Sequence, residues 1–228
     1  IGYIDVEYSS FQGHDKSSFW INNTVRFKHD YCQFDTTPIL QDVYISPTGN
    51  DSNDGLTPAT PFKTISHALK LIGSGTTINL APGVYSSQTN GEILPLHLLN
   101  NVTLSGAGMG ESIIDGNNTH RLLTTGYNFA TLVRDLTCRN GYHDVGGGAA
   151  RVQKGKQVVF DSVEFLLNET MGDGGAIQSK DTNLYIFHCV FQDNTAANGG
   201  AMAIQGAVTW VYNCLLTANS AEWGGAVY

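Results

Sequence analysis

The sequence predicts an all-β fold: a single-stranded right-handed parallel β-helix (solenoid) with an N-terminal capping helix and a non-repeat N-terminal extension. Three observations carry this reading. Gly147-Gly148-Ala149 recurs as Gly174-Gly175-Ala176, Gly199-Gly200-Ala201 and Gly224-Gly225-Ala226, at offsets of 27, 25 and 25 residues. A second phrase, Phe165-x-x-Asn168, recurs as Phe191-x-x-Asn194 and Leu216-x-x-Asn219, at offsets of 26 and 25. Between these marks lie short β-branched and aromatic runs such as Leu184-Tyr185-Ile186-Phe187 and Val208-Thr209-Trp210-Val211-Tyr212. Two marks that keep one period signal a stacked array, and the composition between them is that of strands.

Residues 1–42 carry neither phrase and form the extension. Ile4, Val6 and Tyr8 alternate with Asp5 and Glu7, the pattern of a strand with one buried face. The segment reads as a cap or as a strand exchanged with a neighbouring molecule. Residues 43–85 form the next module. It has a strand at Val43-Tyr44-Ile45, an Asn50–Gly55 turn, Pro61-Phe62, a short helix and a Pro82-Gly83-Val84-Tyr85 turn. Ile65, Ala68, Leu69 and Ile72 stand at i, i+3, i+4 and i+7, one helical face, and Gly73 and Gly75 stop the helix. A helix over the first coil covers apolar surface that a terminal repeat would otherwise expose. The Asn50–Gly55 turn is acidic, but a calcium loop of this type needs a carboxylate where Pro61 stands, so it reads as an Asx turn.

Residues 86–228 are the coils of the solenoid. One coil of about 25 residues suffices for a three-sided turn, and equivalent positions stack about 4.8 Å apart. Alignment places Phe160, Phe187 and Tyr212 in one column, Val163, Cys189 and Cys214 in a second, and Phe165, Phe191 and Leu216 in a third, all inward. The Asn column falls at a turn, where stacked amides can bond along the array and accept left-handed geometry. The Gly pairs allow a second tight bend.

The Gly-Gly-Ala and Phe-x-x-Asn phrases of residues 130–228 resemble the repeats of the chlamydial polymorphic outer-membrane proteins. That group belongs to the pectate-lyase-like parallel β-helix superfamily. Residues 43–116 resemble the opening module of many bacterial and eukaryotic β-helix proteins. The resemblance implies the fold. It implies little about activity, since the superfamily holds lyases, hydrolases, tail fibres, adhesins and structural surface proteins.

Composition narrows the function. The formal net charge is −8, which argues against nucleic acid or an anionic membrane as partner. No apolar run reaches the length of a transmembrane helix. The chain opens at Ile1 without a signal-like region, as a mature secreted chain or a fragment would. Five sequons, at Asn22, Asn50, Asn101, Asn117 and Asn168, point to an extracellular or cell-surface glycoprotein. Four cysteines allow three pairings. Cys189 and Cys214 read as an unbonded inward stack, while Cys138, two residues before Asn140, reads as a turn position that Cys32 could reach.

No catalytic, cofactor or metal residues are assigned. Glycoside cleavage needs two carboxylates about 5–10 Å apart, and acids at equivalent positions of adjacent coils do not recur. Lys154, Lys156, Lys180 and Arg151 gather near one loop side, and Trp210, Trp223 and Tyr142 are candidates for a sugar-stacking platform. The leading expectation is therefore an extracellular structural or adhesive protein, such as a filament or cell-surface subunit. The alternatives are a polysaccharide lyase or glycoside hydrolase, and a glycan-binding module. The sequence given stops within a repeat, so head-to-tail self-association, with residues 1–42 of one copy on another, is the expected assembly.

Overall fold

The structure is a computed structural model. It describes residues 41–228 in full and, of residues 1–40, the backbone of four short strands. Those four, Gly2–Asp5, Ser10–Gln12, Val25–Lys28 and Gln33–Asp35, pair in parallel. Gly2 stands opposite Val25 and Ser10 opposite Gln33, both 23 residues apart. The extension lacks the two repeat phrases, yet its backbone pairs at nearly one coil's interval. The exchanged-strand reading and Asn22 and Cys32 concern side chains and contacts outside the described residues.

Beyond residue 41 the chain is a parallel solenoid with four strand faces per coil. The coil beginning at Gln157 is representative. Strand Gln157–Leu166 crosses two faces, A and B, and bends at Ser162, whose φ is +55°. After a left-handed Leu167 comes Glu169–Thr170 on face C. After a left-handed Gly174 comes Ile177–Lys180 on face D. Asp181, also left-handed, returns the chain to face A at Asn183–Phe187. Face A stacks seven strands, face D five and face C four.

The corners stack as regularly as the strands. Asp135, Ser162, His188 and Asn213 form the A/B corner, and Asn140, Leu167, Asp193 and Ala218 the B/C corner, all with positive φ. The expected three-sided coil is thus corrected to one with four corners. At the asparagine corner the left-handed residue is the one before the asparagine, not the asparagine itself. Asn168 and Asn194 turn inward and are fully buried. Asn168 Nδ2 donates to Asn194 Oδ1 at 2.9 Å and to the Cys138 carbonyl at 3.0 Å. Asn194 Nδ2 repeats this towards Asn219 Oδ1 and the Phe165 carbonyl, both at 2.9 Å. At the C/D corner the first glycine of each pair takes the positive φ. The second has no room for a side chain at Gly148, Gly175 and Gly200: a Cβ on Gly175 would lie 2.1 Å from the Gly200 carbonyl oxygen.

The core follows the two-residue period of the strands. Phe165 pairs with Phe191, and Phe191 with Leu216, as the sequence predicts. The Phe165 and Phe191 rings stack with centroids 4.7 Å apart. The first predicted column is corrected. Phe160 pairs with Ile186, not Phe187, and Ile186 pairs with Val211, not Tyr212. Matching aromatics across 27 residues, where the coil repeats at 26, slipped the register by one and so reversed the face. Phe187 and Tyr212 point outward.

The opening helix spans Ile65–Leu71 and buries Ile65 and Ala68 in the core that holds Val43 and Ile45. Thr64 caps it, its hydroxyl accepting from His67 N–H at 3.1 Å. Two carboxylates from elsewhere grip its first turn. Glu92, nearly fully buried, accepts from the Ile65 and Ser66 amides at 2.8 and 2.7 Å. Asp51 accepts from the Lys63 and Thr64 amides at 2.8 and 2.9 Å. Both satisfy amides that a helix start leaves unpaired.

The observed register separates two aromatic truncations. Phe191→Ala should cost about 3–5 kcal/mol by opening a core cavity. Phe187→Ala, outward, should cost less than about 1.5 kcal/mol. Urea unfolding midpoints of the two variants check this, and equal losses would contradict the register.

Candidate functional site: the outer surface of face A

Alternation along face A sets two outward columns. Leu184 and Ile186 are buried, so Tyr185 and Phe187 between and beyond them face out. The first column runs Thr103, Leu132, Val159, Tyr185, Trp210. The second runs Ser105, Arg134, Asp161, Phe187, Tyr212. Each step is one strand spacing, about 4.8 Å, and the columns stand two residues apart, about 7 Å. Tyr185, Trp210, Phe187 and Tyr212 therefore form an aromatic patch two strands wide. Trp210 is 61% exposed and Tyr212 68%. The Tyr185 and Phe187 ring centroids lie 6.3 Å apart.

A polar pair borders the patch. His188, at the A/B corner, meets Asp161 with Nδ1 2.8 Å from Oδ1. The His188 ring also stands edge-on to Tyr212, centroids 6.3 Å apart. Flat aromatic surface beside a hydrogen-bonding pair suits a ligand with an apolar ring face and peripheral hydroxyls.

The structure redistributes the residues singled out from sequence. Trp210 does not join Trp223 and Tyr142. Those two belong to face C, at opposite edges of its four strands. Its companions are Tyr185, Phe187 and Tyr212; the 25-residue offset of this coil aligns Trp210 with Tyr185 and Tyr212 with Phe187. Among the basic residues, Arg151 and Lys180 stand on adjacent face D strands, but on neighbouring columns. Lys154 occupies the D/A corner with its ammonium 5.6 Å from the centre of the Tyr127 ring.

Outward carboxylates are engaged one at a time. Asp115 takes Arg139 Nε at 2.7 Å, Asn140 Nδ2 at 3.1 Å and the Asn117 amide at 2.9 Å. Glu164 accepts from Thr137 Oγ1 at 2.8 Å. Registered neighbours place Arg139 beside Asp115, Phe187 beside Asp161 and Val190 beside Glu164, and among the described residues no registered pair joins two acids. Among the described residues no three His, Cys, Asp or Glu side chains converge on a metal position. In the opening turn, Asn50 Oδ1 accepts from Ser52 N–H at 2.9 Å and Asp54 Oδ1 from Leu56 N–H at 3.1 Å, both Asx turns. The Thr60 hydroxyl and then the Leu56 amide hold the Asp54 carboxyl below its usual range.

Of the described sequons, Asn50 and Asn101 are exposed and Asn117 is half-buried. Asn168 is fully buried, its Nδ2 donating to Asn194 Oδ1 and to the Cys138 carbonyl within the ladder. Cys138 is corrected. It is a free, fully buried thiol registered with Phe165, and burial pushes its pKa far up. It faces the core rather than a turn. Cys189 and Cys214 are free, as expected, with the Cys189 amide donating to Cys214 Sγ at 3.4 Å.

Comparisons with known proteins follow from this geometry. A family model described as a protein of unknown function (DUF1565) matches residues 47–133, the opening module and first coils. No curated protein matches the chain significantly. Among solved structures, it is similar to the pectin methylesterase PemA from Erwinia chrysanthemi at 15% identity and a TM-score of 0.42, covering 75% of this chain and 67% of that one. A rhamnogalacturonan lyase aligns at 14% identity and a TM-score of 0.42, covering 82% of this chain and 62% of that one. The parallel solenoid itself is established by the strand pairing.

Two measurements check these placements. On secretion from a eukaryotic host, glycopeptide mass spectrometry should find Asn168 unmodified in folded protein, and an occupied Asn168 would refute the buried ladder. Burial raises the Asp115 pKa, but the Asn117 amide, Arg139 and Asn140 outweigh it and hold the carboxyl low. Its stabilisation is therefore present above the unfolded value of about 3.9 and is lost as pH falls through the lower folded value. Arg139→Leu should raise the Asp115 pKa by carboxyl NMR and shift the acid loss of stability to higher pH.

Proposed function

We propose that the chain is a non-catalytic, extracellular structural and adhesive solenoid whose outer face A binds glycan. The observation that carries this reading is the outward patch of Tyr185, Trp210, Phe187 and Tyr212 with Asp161–His188 beside it. A strand face is rigid and flat, so its aromatics are held ready for a sugar ring with little ordering cost. The roughly 7 Å step between columns spans about one pyranose, so an extended saccharide can contact both.

The engagement of Asp115, Asp161 and Glu164 by neighbouring groups supports binding rather than cleavage at these positions, because glycoside chemistry needs a free acid and a second carboxylate near it. The exposed sequons at Asn50 and Asn101 support a secreted setting. Self-association, with residues 1–42 packing on a second copy, belongs to the same reading of a surface or filament subunit.

A glycan array followed by calorimetry tests the binding. Trp210→Ala and Tyr185→Ala should each weaken the best saccharide about tenfold, the equivalent of about 1.4 kcal/mol. Trp223→Ala, on face C, should leave it unchanged. Equal loss in all three, or turnover of the saccharide, would overturn the proposal.

A further inference from the structure

A second polar feature lies away from face A, where the start of face C approaches face D. It is a cleft of about 200 Å³ whose lining includes Thr119, His120, Arg121, Tyr142, His143 and Asp144. Arg121 is only 6% exposed. Its Nε donates to the Gly147 carbonyl at 2.9 Å and its Nη2 to the Gly146 carbonyl at 2.6 Å. Those bonds satisfy hydrogens but not charge. Among the described residues no carboxylate lies within 4 Å of the guanidinium, and none bonds its Nη1.

The surroundings add positive charge instead of cancelling it. Burial and then the nearby Arg151 pull the Arg121 pKa down to about 10. Burial, then Arg121, lower that of His143, against an opposing pull from Asp144. A buried cation without a counter-charge is costly. The Asp144 carboxylate at the rim is turned to Tyr142, whose hydroxyl donates to it at 2.8 Å. Thr119 and His120 complete the opposite wall, Oγ1 2.7 Å from Nδ1.

We propose that this cleft is an oxyanion site, in which Arg121 receives a sulfate or carboxylate group. A planar guanidinium with a free edge suits such a group, and water exclusion strengthens the contact. The site stands apart from face A, so either can fail without the other. The anion is a free ion or a substituent on a larger molecule, and the probes distinguish these sources.

The test titrates the intact chain with inorganic sulfate, glucose 6-sulfate and glucose, following the His120 and His143 ring resonances. Sulfate should give saturable shifts of both rings, and glucose none. Tighter binding of glucose 6-sulfate than of sulfate would assign the source to a substituent, and the reverse to a free ion; either supports the site. Arg121→Gln should weaken sulfate at least about tenfold. Because Arg121 also anchors the Gly146 and Gly147 carbonyls, that variant can misfold, so Asp144→Asn is the second arm. Removing this rim charge should tighten sulfate about threefold. Absence of saturable sulfate shifts in the unaltered chain, or an Asp144→Asn variant no tighter than it, would overturn the site.

Discussion

The inward asparagine ladder is the constraint on which the coil geometry depends. A sharp B/C corner turns buried amides and carbonyls away from strand partners, and buried backbone groups without partners are expensive. Asn168 answers this for two coils at once, with Oδ1 accepting from the Gly141 amide and Nδ2 donating to the Cys138 carbonyl. Each amide also donates to the Oδ1 of the next asparagine, so the ladder fixes the distance between coils. Leu167, Asp193 and Ala218 can then share one left-handed conformation despite having nothing in common as side chains. The asparagine beside them makes that strain tolerable.

This explains what the sequence disclosed and what it hid. The period, the Phe165–Phe191–Leu216 column and the ladder were legible because chemistry repeats there. The A/B corner was legible only in part: polar His188 and Asn213 read as exposed or turn positions, but Asp135, Ser162, His188 and Asn213 share a backbone conformation and no residue type. Without that landmark, likeness of side chains aligns Phe160 with Phe187 rather than with Ile186. A strand alternates every residue, so one misplaced step turned an outward patch into an apparent core. That slip hid only half of the candidate site, Phe187 and Tyr212, since Trp210 and Tyr185 align in the sequence. A corner recognised only by φ leaves no mark in composition.

The opening module was read differently. Its helix face and Asx turns are local and were legible. The carboxylates that hold the helix start were not, because Glu92 is 27 residues from Ile65 and Asp51 is 13 from Thr64. An acid among polar loop residues has no signature of its eventual partner. Fixing the helix from both sides of the chain matters for the coils, since Ile65 and Ala68 pack on the first strands of the same core.

Inside the solenoid, stacking keeps each column to one kind of chemistry: apolar on apolar, as Phe160 on Ile186 and Phe165 on Phe191, and asparagine on asparagine. Outside, the same register imposes no identity, and the faces have diverged in chemistry. Face A goes from Thr103 and Leu132 to Tyr185 and Trp210 within one column. Face D carries His97, Thr124, Arg151 and Gln178 along its own. Because the interior already fixes position and spacing, an outward substitution changes surface chemistry at little cost to the coil. A surface so decoupled from its core can hold an aromatic patch on one side and an uncompensated arginine on another without either disturbing the ladder between them.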